Sequence, residues 1–212
     1  MYRLYQQIIN QHFQDNTQML FLAGPRQVGK TTIAKTILSL HQGLYLNWDD
    51  PEDRQLFLGS NEGILARVGP AILGEQGNPY IIFDEIHKFK DWKNRLKGFY
   101  DKHGHDYRII VTGSAKLDLY HKGGDSLMGR YFPFTVHPLS LAEITGSELS
   151  KNLIRPPQNP LPGSYEQLYT FGGFPEPYLK NSPSFTHQWK RTRYKQLIRE
   201  DLRALGDIQD LD

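Results

Sequence analysis

Apolar positions along the chain change their period, and the period names the element. Leu4, Ile8, Ile9 and Phe13, with His12 among them, recur at helical spacing and predict a short leading helix that ends before Asp15-Asn16. Continuous apolar, β-rich runs follow at 19–23, 44–48, 80–83, 107–111 and 131–136, with helical patterns between them. A strand that is apolar at every position has to be covered on both faces, so the alternation predicts a parallel sheet layered by helices, the α/β class. Behind the first run, Ile33, Ala34, Ile37 and Leu38 form the apolar face of a buried helix. Behind the second, Asp50, Pro51 and Asp53 read as N-cap, first-turn proline and capping-box acid of a helix through Leu56 and Phe57. Phe89, Trp92, Leu96, Phe99 and Tyr100 make a third helical stripe, read as core, with Gly104 placed to end it.

The texture changes after residue 150, which divides the chain into an expected core of 1–150 and a helical remainder of 151–212. A proline-rich connector occupies 155–163, and Ser164 with Gln167 then reads as a capping box for a helix through Leu168 and Phe171, stopped by Gly172-Gly173. A last helical segment carries Tyr194, Leu197, Ile198, Leu202 and Leu205 on one face. Lys190, Arg191, Arg193, Lys195, Arg199 and Arg203 surround them. Residues 206–212 have no packed pattern and read as an interruption of something larger. A length of 212 residues suits one medium α/β domain, or one domain with a small appendage, and the net charge of +2 points to no global polyelectrolyte partner. The absence of cysteine removes disulfides and thiolate metal sites, and fits a reducing compartment. No apolar run approaches the ~20 residues that cross a bilayer, and the N-terminus lacks a signal-peptide core, so the expectation is a cytoplasmic protein without membrane partners.

The candidate chemistry begins where the first apolar run ends. Gly24, Pro25, Arg26, Gln27, Val28, Gly29, Lys30, Thr31 and Thr32 form a complete phosphate-binding P-loop between a strand and a helix. Wrapping a polyphosphate in backbone N–H groups demands glycine at the pivots of so tight a turn. Lys30 can reach the β- and γ-phosphates, the Thr31 hydroxyl can coordinate Mg²⁺, and Thr32 would sit nearest the α-phosphate, all at the positive end of a helix dipole. The run at 80–83 ends in Asp84-Glu85, the form of a Walker B motif. Asp84 would hold Mg²⁺ opposite the P-loop hydroxyl, and Glu85 would orient the water that attacks the γ-phosphate. The fourth run ends in Thr112-Gly113-Ser114. If that strand lies between the other two, Ser114 or Thr112 faces the γ-phosphate; otherwise the three residues are a turn. Residues 117–128 are helix-like but broken by Gly123-Gly124. Arg130, just before the fifth run, either completes the site of a neighbouring copy or pairs with a surface acid.

Taken in order, GPRQVGKTT, YLNWDDPE, IIFDEIHKFKDW, TGSAK, SLMGRYFPFTVHPLSLAEI and GGFPEPYL resemble the prokaryotic AAA+ superfamily ATPases related to the STAND group. The resemblance implies an AAA+-like P-loop NTPase sheet of strand order 5-1-4-3-2 with a partial helical lid. It makes Ser114 the γ-phosphate sensor and Arg130 an arginine finger that requires a homo-oligomer, and it places Gly172-Gly173-Phe174-Pro175 near the adenine. Family members continue with a winged helix, of which 188–205 would be only the beginning, so the resemblance implies a truncated chain.

Rival readings share the P-loop. Ala115-Lys116-Leu117-Asp118 imitates a guanine motif but lacks its amide, and Asp84 is not followed by the glycine of a GTPase switch, so ATP is the expected nucleotide. A small-molecule kinase would deliver phosphate to an acceptor and gain nothing from a water-activating Glu85. A STAND-like switch would retain ATP with little turnover. The basic C-terminal helix, with six Lys or Arg against two acids over 187–205, suits a DNA or protein partner or an ordinary solvated face.

Overall fold

In the computed structural model, which describes residues 3–69, 78–113, 127–149 and 159–197, five strands form one parallel sheet. The chain runs α1 (Tyr5–Asp15), β1 (Met19–Ala23), α2 (Lys30–Leu40), β2 (Gly43–Asn47), α3 (Pro51–Leu58), α4 (Asn61–Val68), β3 (Tyr80–Asp84), α5 (Trp92–His103), β4 (Arg108–Gly113) and β5 (Tyr131–Thr135). A short 3-10 turn, Ile86–Lys88, lies between β3 and α5. The spatial order is β2-β3-β4-β1-β5, which is the expected 5-1-4-3-2 read from the other edge. Register aligns Leu22 with Thr112 and Asp84 with Thr112, so β4 lies between the P-loop strand and the acidic strand.

The continuous apolar runs are explained by two cores, one on each face. Met19, Phe21, Ile81, Phe83, Ile109 and Val111 point to the face covered by α3, α4 and α5, where Phe57, Ile64, Leu96 and Phe99 meet them. Leu20, Leu22, Tyr80, Ile82 and Ile110 point to the opposite face, against Ile9 and Phe13 of α1 and Ile33, Ala34 and Ile37 of α2. Each fully buried side chain of this size contributes about 1.5–3 kcal/mol of transfer free energy. Pro133 sits on β5, an edge strand, where its missing N–H is tolerated.

The helix signals are met unevenly. Asp50 caps α3 by accepting from the Glu52 and Asp53 amides, as expected. The Asp53 carboxylate departs from the capping box: it accepts from the Asn47 amide at 2.9 Å and so ties α3 back to β2. Phe89 packs with the stripe it was grouped with but precedes α5 instead of lying in it.

Contacts divide the chain into two units between Val136 and His137. The second unit contains α6 (Leu141–Ile144), α7 (Ser164–Phe171), α8 (Pro175–Lys180) and α9 (Pro183–Gln196). Within it the Leu139 amide donates to the Gly173 carbonyl at 2.6 Å, which joins 137–149 to the helices that follow. The capping box expected at Ser164 does not form. Gly163, at φ +78°, takes the cap position, so Ser164 already lies in the first turn and donates to the Leu161 carbonyl. Gln167 donates to the Tyr178 carbonyl instead of reaching back. Ser114, most of the segment 117–128 and residues 198–212 fall outside the described residues.

Candidate nucleotide-binding site

The P-loop is built where β1 hands the chain to α2. Gly24 leaves the strand at φ +154°, and a Cβ there would stand 2.4 Å from the Val136 carbonyl oxygen, so only glycine lets the loop pass β5. Gln27 (φ +64°) and Gly29 (φ +97°) both adopt left-handed conformations, which coil the backbone into a nest before Lys30 starts the helix. The first amides of α2 have no intrahelical partner and carry the positive end of its dipole, an arrangement suited to anions. Lys30 is buried, and its Nζ donates to the Gly24 and Pro25 carbonyls at 2.9 and 2.8 Å, across the loop it belongs to.

Asp84 ends β3 with only 3% of its surface exposed. Thr31 Oγ1 donates to its Oδ2 at 2.8 Å, which joins the P-loop to the acidic strand across 53 residues of sequence. Two further hydroxyls converge on the same carboxylate: Tyr45 from β2 donates to Oδ2 at 2.5 Å, and Thr112 from β4 donates to Oδ1. Burial and the hydrogen bond to Asp84 push the Tyr45 phenol far above its ordinary range, so Tyr45 is a donor at any physiological pH. Lys35 Nζ lies 4.7 Å over the Tyr45 ring and holds it from the α2 side. Thr112 was one of two residues expected to face the phosphate, and it touches Asp84 from within the strand. Tyr45 was not anticipated; it reads in sequence as one more apolar strand residue.

Glu85 departs from the strand sharply, at φ +58°, a conformation uncommon for a residue with a side chain. Its amide donates to the Thr112 carbonyl at 3.1 Å. Its carboxylate lies 3.4 Å from Lys88 Nζ and 3.8 Å from the His87 ring. Lys88 in turn meets the Asp49 carboxylate at 2.6 Å. Arg130 lies at the start of β5, whereas the P-loop leaves the far end of neighbouring β1. Its guanidinium makes two hydrogen bonds to the Asp101 carboxylate of α5, at 2.6 and 3.1 Å. Of the expected site residues, the structure thus brings the P-loop, Asp84 and Glu85 to one edge of the sheet and Arg130 to the other.

Residues 16–145 match the family model described as an AAA domain. Two proteins named only as uncharacterized, from Mycobacterium bovis and Mycobacterium tuberculosis, are each 23% identical over 189 residues, which is 89% of this chain and 37% of theirs. The chain therefore spans little more than a third of the length of these curated relatives. Among solved structures, a Walker-type ATPase of Pyrococcus abyssi superposes with a TM-score of 0.55 at 15% identity, over 94% of this chain and 73% of that one. At that identity the likeness is one of fold. With its P-loop and acidic strand joined as described, the chain belongs to the AAA domain family and has the fold of an ATP-binding P-loop ATPase.

Proposed function

We propose that this chain hydrolyses ATP in a Mg²⁺-dependent reaction. The hydrogen bond between Thr31 and Asp84 carries the reading, because it brings a P-loop hydroxyl and a buried carboxylate to one point. That donor set is hard oxygen, which fits Mg²⁺, an ion held by one or two protein oxygens together with phosphates and water. When bound, the ion supplies charge neutralisation on the terminal phosphates. Thr31 and Asp84 hold it, Lys30 neutralises the β- and γ-phosphates, and Tyr45 and Thr112 keep the Asp84 carboxylate oriented. Glu85 orients the attacking water, for which its carboxylate has to leave Lys88.

Lys30→Ala is expected to weaken ATP binding. Glu85→Gln is expected to keep binding and lower turnover by about 10²-fold or more, as loss of a general base does. Turnover in Glu85→Gln equal to wild type removes the assignment. Phosphate release without an added acceptor separates hydrolysis from small-molecule kinase chemistry. The pairing of Glu85 with Lys88 favours a second reading, a STAND-like switch that holds ATP with little turnover. Retention of one nucleotide per chain, with negligible phosphate release, is the outcome that selects it. The exposed Lys190, Arg191 and Lys195 of α9 suit a polyanion, and a steep salt dependence of DNA binding is the test of that partner.

A further inference from the structure

We propose that Arg3, which precedes the first helix, is a positioning residue for the phosphates of the nucleotide. The proposal rests on the ATP-binding reading and deepens it. Arg3 is 5% exposed, and its Nη1 donates to the Val28 carbonyl inside the P-loop at 2.8 Å, across 25 residues of sequence. Its guanidinium lies 5.3 Å over the Tyr5 ring, and the Tyr5 hydroxyl donates to the Thr135 carbonyl of β5 at 2.9 Å. The entry to α1 is thereby fastened to the loop and to the edge strand beside it.

The consequence follows from peptide geometry. In a trans peptide the carbonyl and the next residue's N–H point in opposite directions, so a Val28 carbonyl held toward Arg3 aims the Gly29 N–H away from Arg3. Gly29, at φ +97°, is the residue before Lys30 opens α2, and its amide belongs to the helix-end group that receives anions. The Val28 side chain is fully buried, which fixes the other end of the same residue. A carbonyl rotated into the nest would repel phosphate, and Arg3 opposes that rotation. An arginine this deeply buried is costly unless its charge and donors are used.

The test compares wild type, Arg3→Met and Arg3→Lys, using calorimetric titration with MgATP, MgADP and adenosine. It also follows the Gly29 amide resonance on adding MgADP. Methionine keeps an unbranched stem in the cavity and removes both donor and charge. The expected result is roughly tenfold to hundredfold weaker MgATP and MgADP in Arg3→Met, the loss that a charged hydrogen bond predicts. Adenosine affinity stays unchanged, the Gly29 shift is lost, and Arg3→Lys recovers part of the phosphate affinity. A folded Arg3→Met that binds MgATP like wild type overturns the proposal. So does an equal loss for adenosine and nucleotides with the Gly29 shift intact, since that marks a merely structural role. If Arg3→Met fails to fold, Arg3→Lys decides: partial loss confined to phosphate-bearing ligands supports the proposal, and full affinity overturns it. A wild-type chain that binds no nucleotide sinks the ATP reading itself, an outcome distinct from both.

Discussion

At the residue scale the site turns on one buried carboxylate that accepts from three hydroxyls, and substitutions that remove one donor at a time separate their roles. Tyr45→Phe keeps the ring under Lys35 and deletes only the donor to Asp84. On the proposed reading it raises the Mg²⁺ concentration for half-maximal ATPase by about tenfold, the usual effect of losing a partner of a metal ligand, with metal-free nucleotide affinity unchanged. Equal Mg²⁺ dependence in variant and wild type removes Tyr45 from the site. Elsewhere His12 is buried on α1, and its Nε2–H donates to the Gln18 carbonyl at 2.7 Å. Burial holds its pKa below the ordinary histidine value, with the backbone hydrogen bond opposing in part. The unfolded chain therefore takes up the proton first. Stability is complete above about pH 6.5 and is lost progressively as pH falls below it. Denaturant midpoints between pH 7 and 5 should fall less steeply in His12→Gln than in wild type. Lys30, Thr31, Asp84 and Glu85 stand out in the sequence as candidates because each belongs to a local pattern. Tyr45 and Arg3 do not, because each reaches the site from a distant stretch whose own pattern speaks only of burial.

At the element scale, local rules held where a cap stood alone. Asp50 accepts from two first-turn amides, so Asp50→Ala should lower stability by about 1 kcal/mol, read from the thermal midpoint, with nucleotide affinity little changed. A fall many times larger would mean that Asp50 also supports β2. The neighbouring helix α4 has a weak apolar pattern, although Ser60 caps it by accepting from the Gly63 amide. Within Asn61–Val68 only Ile64 and Val68 are buried, four residues apart, and Gly63 interrupts the first turn. Arg95 of α5 holds the junction before it, donating to the Phe57 and Gly59 carbonyls and to the Asn61 side chain. In α7 the local pattern misled, because Gly163 had taken the cap position and left the Ser164 hydroxyl to its own turn.

At the scale of the whole molecule, Arg130 and the P-loop lie at opposite ends of neighbouring strands, so Arg130 can act on a nucleotide only in another copy. Such a role requires it to exchange Asp101 for the neighbour's phosphate. Arg130→Ala is then expected to lower turnover at protein concentrations where ATP raises the mass in solution, and to leave dilute chains unaffected. A monomer under all conditions, with turnover unchanged in the variant, assigns Arg130 to the Asp101 pair alone. Sequence by itself determined the strands, their parallel arrangement and the anion-binding turn, because burial on both faces and a glycine-pivoted loop are demands met within a few consecutive residues. Tertiary structure decided the rest. Which hydroxyls surround Asp84, where Glu85 turns and what holds the Val28 carbonyl depend on strand order and helix docking, which bring together groups that no local spacing relates.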